Sequence, residues 1–217
     1  YTYAPSMTLK GLTGTVSKTY DGSTSATLTG ANYATSGLVD NDVASVSGTA
    51  SFNNANAGTV KTVSVTGLSF AVTSEGKPVY GYTLPTATAA SATIGTISKK
   101  ELTWSVSNSA STYGTLATQG VATLTGVVGS DVVSGTVGVF TGNTQVTLAT
   151  NTAAGTYTQE VTALDGASAS NYTIASTGNT PGTLTINPKQ LSLSLTGTPT
   201  KVYDASTTAS LSGLSYT

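Results

Sequence analysis

Apolar side chains recur at every second position through most of this chain. Leu102, Trp104 and Val106 enclose Thr103 and Ser105, and Leu184 and Ile186 enclose Thr185. Val63 and Val65 flank Ser64, and Leu68 follows. Alternation by two puts one face of an extended segment in a core and the other in water, the signature of a half-buried β-strand. It predicts strands over 7–9, 12–18, 26–29, 43–52, 59–70, 80–84 and 92–97. A second series is predicted over 102–106, 122–125, 132–140, 145–148, 155–161, 171–174 and 182–186. Between them stand turn-forming clusters such as Tyr20-Asp21-Gly22-Ser23 and Asn53-Asn54-Ala55-Asn56-Ala57-Gly58, whose Asp, Asn and Ser side chains bond local backbone and whose glycines accept positive φ. The stretch 32–42 reads as a loop with Leu38 and Val39 tucked inward. No window carries a helical stripe, so almost no helix is expected. Short strands at regular spacing predict an all-β fold of β-sandwich-like modules, immunoglobulin-like or, as the alternative, β-grasp-like.

The pattern repeats. Lys18-Thr19-Tyr20-Asp21-Gly22-Ser23-Thr24 returns 183 residues later as Lys201-Val202-Tyr203-Asp204-Ala205-Ser206-Thr207. Leu12-Thr13-Gly14-Thr15 and Leu28-Thr29-Gly30 return at the same offset as Leu195-Thr196-Gly197-Thr198 and Leu211-Ser212-Gly213. At an offset of 89, Gly37-Leu38-Val39-Asp40-Asn41-Asp42-Val43 aligns with Gly126-Val127-Val128-Gly129-Ser130-Asp131-Val132. Ile97 to Leu102 likewise aligns with Ile186 to Leu191, and Leu102, Trp104 and Val106 with Leu191, Leu193 and Leu195. A period near 90 residues turns the question from one fold into an array. The expected division is 1–6 as the end of a preceding module (Thr2-Tyr3-Ala4-Pro5 resembles Thr185-Ile186-Asn187-Pro188), 7–99 and 100–188 as two modules, and 189–217 as the start of a third, an excerpt of a longer tandem protein. The joints after Ile97 and Ile186 hold about four polar residues, far shorter than a flexible Gly/Ser linker. They predict taut connections and an extended rod.

Composition narrows the chemistry. The 217 residues contain no cysteine, histidine or arginine, and eight lysines stand against nine acids. Without cysteine there is no disulfide, thiolate ligand or thiol nucleophile. Without histidine the commonest acid–base group and metal ligand is missing. Eight scattered lysines make no basic face for nucleic acid, and no apolar run approaches a membrane span. An enzyme would have to work with paired carboxylates. Asp40/Asp42 and Glu160/Asp165 offer no evident pocket, so no enzyme and no cofactor are expected. A neutral hydroxyl- and amide-rich surface suits an extracellular protein.

Four stretches carry candidate chemistry. Tyr20 with Asp21, and Tyr203 with Asp204, could bind a sugar through a stacking ring and an acceptor carboxylate. The plainer reading is a turn in which Asp bonds backbone N–H groups while Tyr covers the core edge with its hydroxyl on a partner. Asp40-Asn41-Asp42 has calcium-loop flavour, but an EF-hand loop wants Gly and Glu where Ser45 and Ser51 stand. Asn171-Tyr172-Thr173 is the one glycosylation sequon. A Lys–Asn isopeptide crosslink would need a lysine beside an Asn and a buried acid, and the sequence places neither Lys18 nor Lys201 so.

Lys18-Thr19-Tyr20-Asp21-Gly22, Ala26-Thr27-Leu28 and Gly37-Leu38-Val39 with Asp42-Val43 resemble the YDG-type repeat of large bacterial surface adhesins, including filamentous-haemagglutinin-like exoproteins secreted by the two-partner route. The second series is similar to the companion YG-type (MBG) repeat: Tyr113-Gly114, Gly155-Thr156-Tyr157, Asn171-Tyr172-Thr173-Ile174 and Gly182 to Ile186. Two departures stand out: Ala205 replaces Gly, and Tyr80-Gly81-Tyr82 stands where the family shows Asn-Tyr. The resemblance implies a cell-surface or secreted stalk or biofilm-matrix fibre with no catalytic residues. Its partners would be neighbouring modules, with polysaccharide or further copies of itself as alternatives, through glycan binding or strand exchange into a filament.

Overall fold

The computed structural model describes residues 4–197, 200–208 and 215–216. Tyr1 to Tyr3, Thr198 and Leu211-Ser212-Gly213 of the repeats lie outside the described residues. The chain is all-β, about half strand, arranged in several sheets including a half-barrel. Among the described residues the helical content is two 3-10 turns, Gly30–Asn32 and Ala169–Asn171.

Up to residue 98 the strands are β1 (Thr8–Leu12), β2 (Val16–Thr19), β3 (Ser25–Ala26), β4 (Tyr33–Ser36), β5 (Val43–Phe52), β6 (Gly58–Ser74), β7 (Lys77–Pro78) and β8 (Ala89–Ser98). They form one sheet in the order β2-β8-β6-β5-β3, with β7 also on β6, and a separate β1-β4 pair. From residue 100 come β9 (Lys100–Val106), β10 (Ser109–Thr112), β11 (Ala122–Thr125), β12 (Ser134–Thr141), β13 (Thr144–Gln145), β14 (Gly155–Asp165), β15 (Tyr172–Ile174) and β16 (Gly182–Asn187). These build the sheets β10-β16-β14-β12-β13 and β11-β9-β15. Among these sixteen strands, no pairing crosses Lys99.

Most of the alternating segments become strands, and the exceptions have physical causes. The expected loop over 32–42 contains β4, because Tyr33 to Ser36 find an unpaired edge on β1. Val39 is exposed rather than tucked in; its N–H donates to the Tyr82 hydroxyl at 2.8 Å, which holds the loop tip outward. Residues 80–84 are not a strand, and only Thr83 bridges, to Ser6. β10, a Ser/Ala/Thr segment without apolar alternation, forms because it lies parallel to β16. β2 and β8, and β9 and β15, are also parallel pairs. Such pairs need long crossovers, and period-two alternation does not reveal them. β5 and β6 shift register between Ser47 and Thr49, beside Gly67 at φ 65°, so the long hairpin carries a bulge.

Three apolar clusters follow. One, around Ala117, Val139, Tyr157, Leu184 and Ile186, fills the β10–β16 sheet face. Another joins Trp104, Val106 and Val161. The third crosses residue 99: Val16, Tyr20, Phe52, Val63 and Ile97 pack with Leu102 and Tyr172. Strand β8 thus hands over to β9 with Lys99 alone between them, and Ile97 and Leu102 on either side are 1% and 0% exposed.

Candidate functional site

Tyr20 belongs to that third cluster, and the Asp21-Gly22 turn that follows it is exposed. β2 ends at Thr19, and the Tyr20 N–H donates to Ser98 O at 2.8 Å, which anchors the turn to the end of β8. Lys18 Nζ donates to Asp21 Oδ1 at 2.7 Å and to Ser23 O and Oγ at 2.8 and 2.9 Å. Asp21 Oδ1 also accepts from the Ser23 N–H at 2.8 Å. The Lys18 ammonium and these donors hold the Asp21 carboxyl at about 2. Gly22 takes φ 78°, the left-handed conformation glycine adopts without cost.

With the turn set, the Tyr20 ring points across the joint. It is 5% exposed and meets Tyr172 edge-to-face, with ring centroids 5.3 Å apart at 77°. Its hydroxyl donates to Asp131 Oδ2 at 2.8 Å, and the Tyr172 hydroxyl donates to the same oxygen at 2.5 Å. The Tyr172 hydroxyl accepts from the Val128 N–H at 2.9 Å, so the carboxylate, the ring and the 127–132 loop form one unit. Burial raises the Tyr172 phenol to about 12, with Asp131 adding to the shift, and the same causes raise Tyr20. The two phenol donors lower the Asp131 carboxyl. A second contact lies alongside: Asn171 Oδ1 accepts from the Ala57 N–H at 2.9 Å, and its amide donates to Asn56 Oδ1 at 3.4 Å. The sequon asparagine is therefore buried in the joint.

Residues 4–91 match the YDG domain. Comparison with curated proteins and with solved structures gave no match. The YDG domain supplies Lys18, Tyr20, Asp21, Gly22 and Asn56 to the joint, while Asp131, Asn171 and Tyr172 come from the chain beyond it.

The other sequence-derived candidates fall elsewhere. Lys201 bonds Asp204 Oδ1 at 2.6 Å, and Asp204 Oδ1 accepts from Ser206 N–H at 3.0 Å, repeating the Lys18–Asp21–Ser23 turn; Lys201 lowers the Asp204 carboxyl. Tyr203 differs from Tyr20 in being 91% exposed. Asp42 Oδ2 accepts from the Tyr82 hydroxyl at 2.8 Å, while Asp40 sits at φ 51° on the loop tip. Among the described residues no three His, Cys, Asp or Glu gather closely enough to hold a metal ion. Lysines 18 and 201 face aspartates within their own turns.

Sequence reasoning did not foresee Asp131 and Tyr172 as partners of Tyr20. One signal pointed there: Asp131 falls opposite Asp42 in the repeat, the one acid the two loop copies share at that place.

Proposed function

We propose that this chain consists of structural stalk modules of a bacterial cell-surface or secreted adhesin or matrix fibre, acting outside the cell through shape and spacing rather than catalysis. The observation that carries the reading is the joint at Lys99. A hinge meant to swing would leave a polar, loosely packed interface and a pliant linker. Here one residue separates two strands, a shared apolar cluster spans the boundary, and the Tyr20 hydroxyl ties to a carboxylate 111 positions along the chain. Such a joint presets the angle between successive sandwich-like modules at 7–99 and 100–188 and carries load through packed side chains. The neutral, hydroxyl-rich surface and the YDG match add support.

Small-angle scattering extrapolated to zero concentration tests it. A stalk gives an elongated particle whose cross-section is one module wide and whose shape does not change with salt, because the joint is held mainly by buried contacts. A compact particle, or a broad distribution of lengths, overturns the reading.

A further inference from the structure

A rank of outward side chains crosses the β10–β13 sheet at right angles to its strands. β16, β14, β12 and β13 are neighbours, and their register sets Thr183, Thr158, Phe140 and Gln145 one beside the next. The residues that alternate with them, Leu184, Tyr157 and Val139, are buried in the core, so the rank lies on the opposite face. Asn108, just before β10, extends it by one place. Its Oδ1 accepts from the Thr183 N–H at 2.8 Å, which leaves the two amide N–H donors for another acceptor. An open recess of about 370 Å³ lies at this end, lined in part by Asn108, Thr183 and Thr185.

Phe140 is half-buried although it stands on the outward face. The cause is Gly138, two residues earlier on the same face. A Cβ there would lie 2.9 Å from Phe140 Cε2 and 2.6 Å from Thr162 Cγ2, so the ring rests against the glycine. Gly138 does not take a positive φ, so close approach rather than backbone conformation is what requires glycine here. The ring lies along the sheet and adds an apolar plate to the row of hydroxyls and amides.

We propose that this rank is a binding platform for an extended, neutral polysaccharide of the β-1,4-glucan type. Neighbouring strands stand about 4.8 Å apart, close to the advance of one pyranose along an extended chain, so a glucan laid across the strands meets one side chain per sugar. The Phe140 ring covers the C–H face of a sugar, and the threonine hydroxyls and the two amides donate to and accept from its hydroxyls. The five members of the rank carry no charge, which matches a neutral chain. Glu160, opposite Gly138 on the same face, accepts sugar hydroxyls and repels an anionic chain. The internal joint is built from turns and loops at strand ends, whereas the rank crosses the strands themselves and lies on the flank of the sheet. The inference goes beyond the stalk reading, which needs no ligand.

Affinity electrophoresis of the whole chain tests it, in native gels that contain hydroxyethylcellulose. Migration should be retarded several-fold relative to a gel without polymer. Retardation should be much smaller in carboxymethylcellulose, the same backbone with negative charges, and absent in dextran, an α-linked chain that does not lie extended. Phe140→Ala should abolish the effect. Because that change also uncovers Gly138, a second variant carries Thr158→Val and Thr183→Val together. It keeps the β-branched shape, removes only the two hydroxyls, and should at least halve the retardation while the circular dichroism spectrum stays unchanged. No retardation in hydroxyethylcellulose overturns the proposal, and so does equal retardation in all three polymers. Retardation that survives both variants places binding elsewhere and overturns it too. The scattering shape remains an independent measure of the stalk reading, since a rod that binds no glucan is still a rod.

Discussion

At the scale of single residues the joint depends on a few atoms whose removal has separable effects. Tyr20→Phe keeps the buried ring and its edge contact but withdraws one donor from Asp131. The expected loss is about 1 kcal/mol, the usual net worth of a hydrogen bond, read as a lower urea midpoint. Tyr20→Ala removes the ring as well and opens a void beside Phe52, Ile97 and Leu102, so a loss of roughly 3–5 kcal/mol is expected. If the two variants lost equal stability, the ring would contribute nothing and the joint would be polar in origin. Gly22→Ala is penalised twice. It forces a side chain into left-handed backbone, which costs about 1–2 kcal/mol, and the added methyl meets Val128 at 3.1 Å. Denaturation of that variant should show a loss at least as large as that of Tyr20→Phe. The third copy carries Ala205 at φ 58° and so already bears the first of these costs.

Among the elements, the question is whether the short β8–β9 connection or the side-chain joint fixes how the two halves meet. Four Gly/Ser residues inserted after Lys99 would lengthen the tether without touching a buried contact. Loop entropy grows slowly, so the insertion should cost only about 1 kcal/mol. Amide exchange at Tyr20, whose N–H bonds Ser98 O, and at Val128, which bonds the Tyr172 hydroxyl, should stay slow. Fast exchange at both would mean that the tether does the holding. The same comparison explains what the sequence made legible. Leu102, Trp104, Val106 and Leu184 declared their strands because burial on one face is a local, period-two property. β4 and β10 were hidden because their pairing comes from a distant edge rather than from their own alternation. The joint was half legible. Tyr20 and Asp21 marked a turn through their spacing and recurrence, but Asp131 is a lone acid in a loop, and nothing local says which tyrosine will reach it. The shared acid of the Asp42 and Asp131 loops was visible as repetition; its role emerged only once Tyr82 and Tyr172 were seen to bond both in the same way.

For the whole molecule, the titrating groups of the joint set the pH range over which the halves stay locked. Histidine is absent, so no imidazole titrates between the carboxylates and the phenols. Tyr172 is raised from 10.0 to about 12 and Tyr20 is raised in the same direction, so the fold favours the protonated phenols. Their stabilisation is complete below the unfolded value and is lost as pH climbs from about 10 toward 12, where the unfolded chain releases protons that the joint retains. Asp131 and Asp21 are lowered from 3.8, the latter to about 2, so the fold favours their ionised forms. Their stabilisation is complete above the unfolded value and is lost as pH falls from about 4 toward 2. Urea midpoints measured across pH should therefore form a broad plateau with an acid and an alkaline edge. In Tyr20→Phe the alkaline edge should become shallower, since one raised phenol is gone, while the acid edge keeps the part due to the Lys18–Asp21 turn. An alkaline edge unchanged by Tyr20→Phe would show that the phenol facing Asp131 does not couple the two halves.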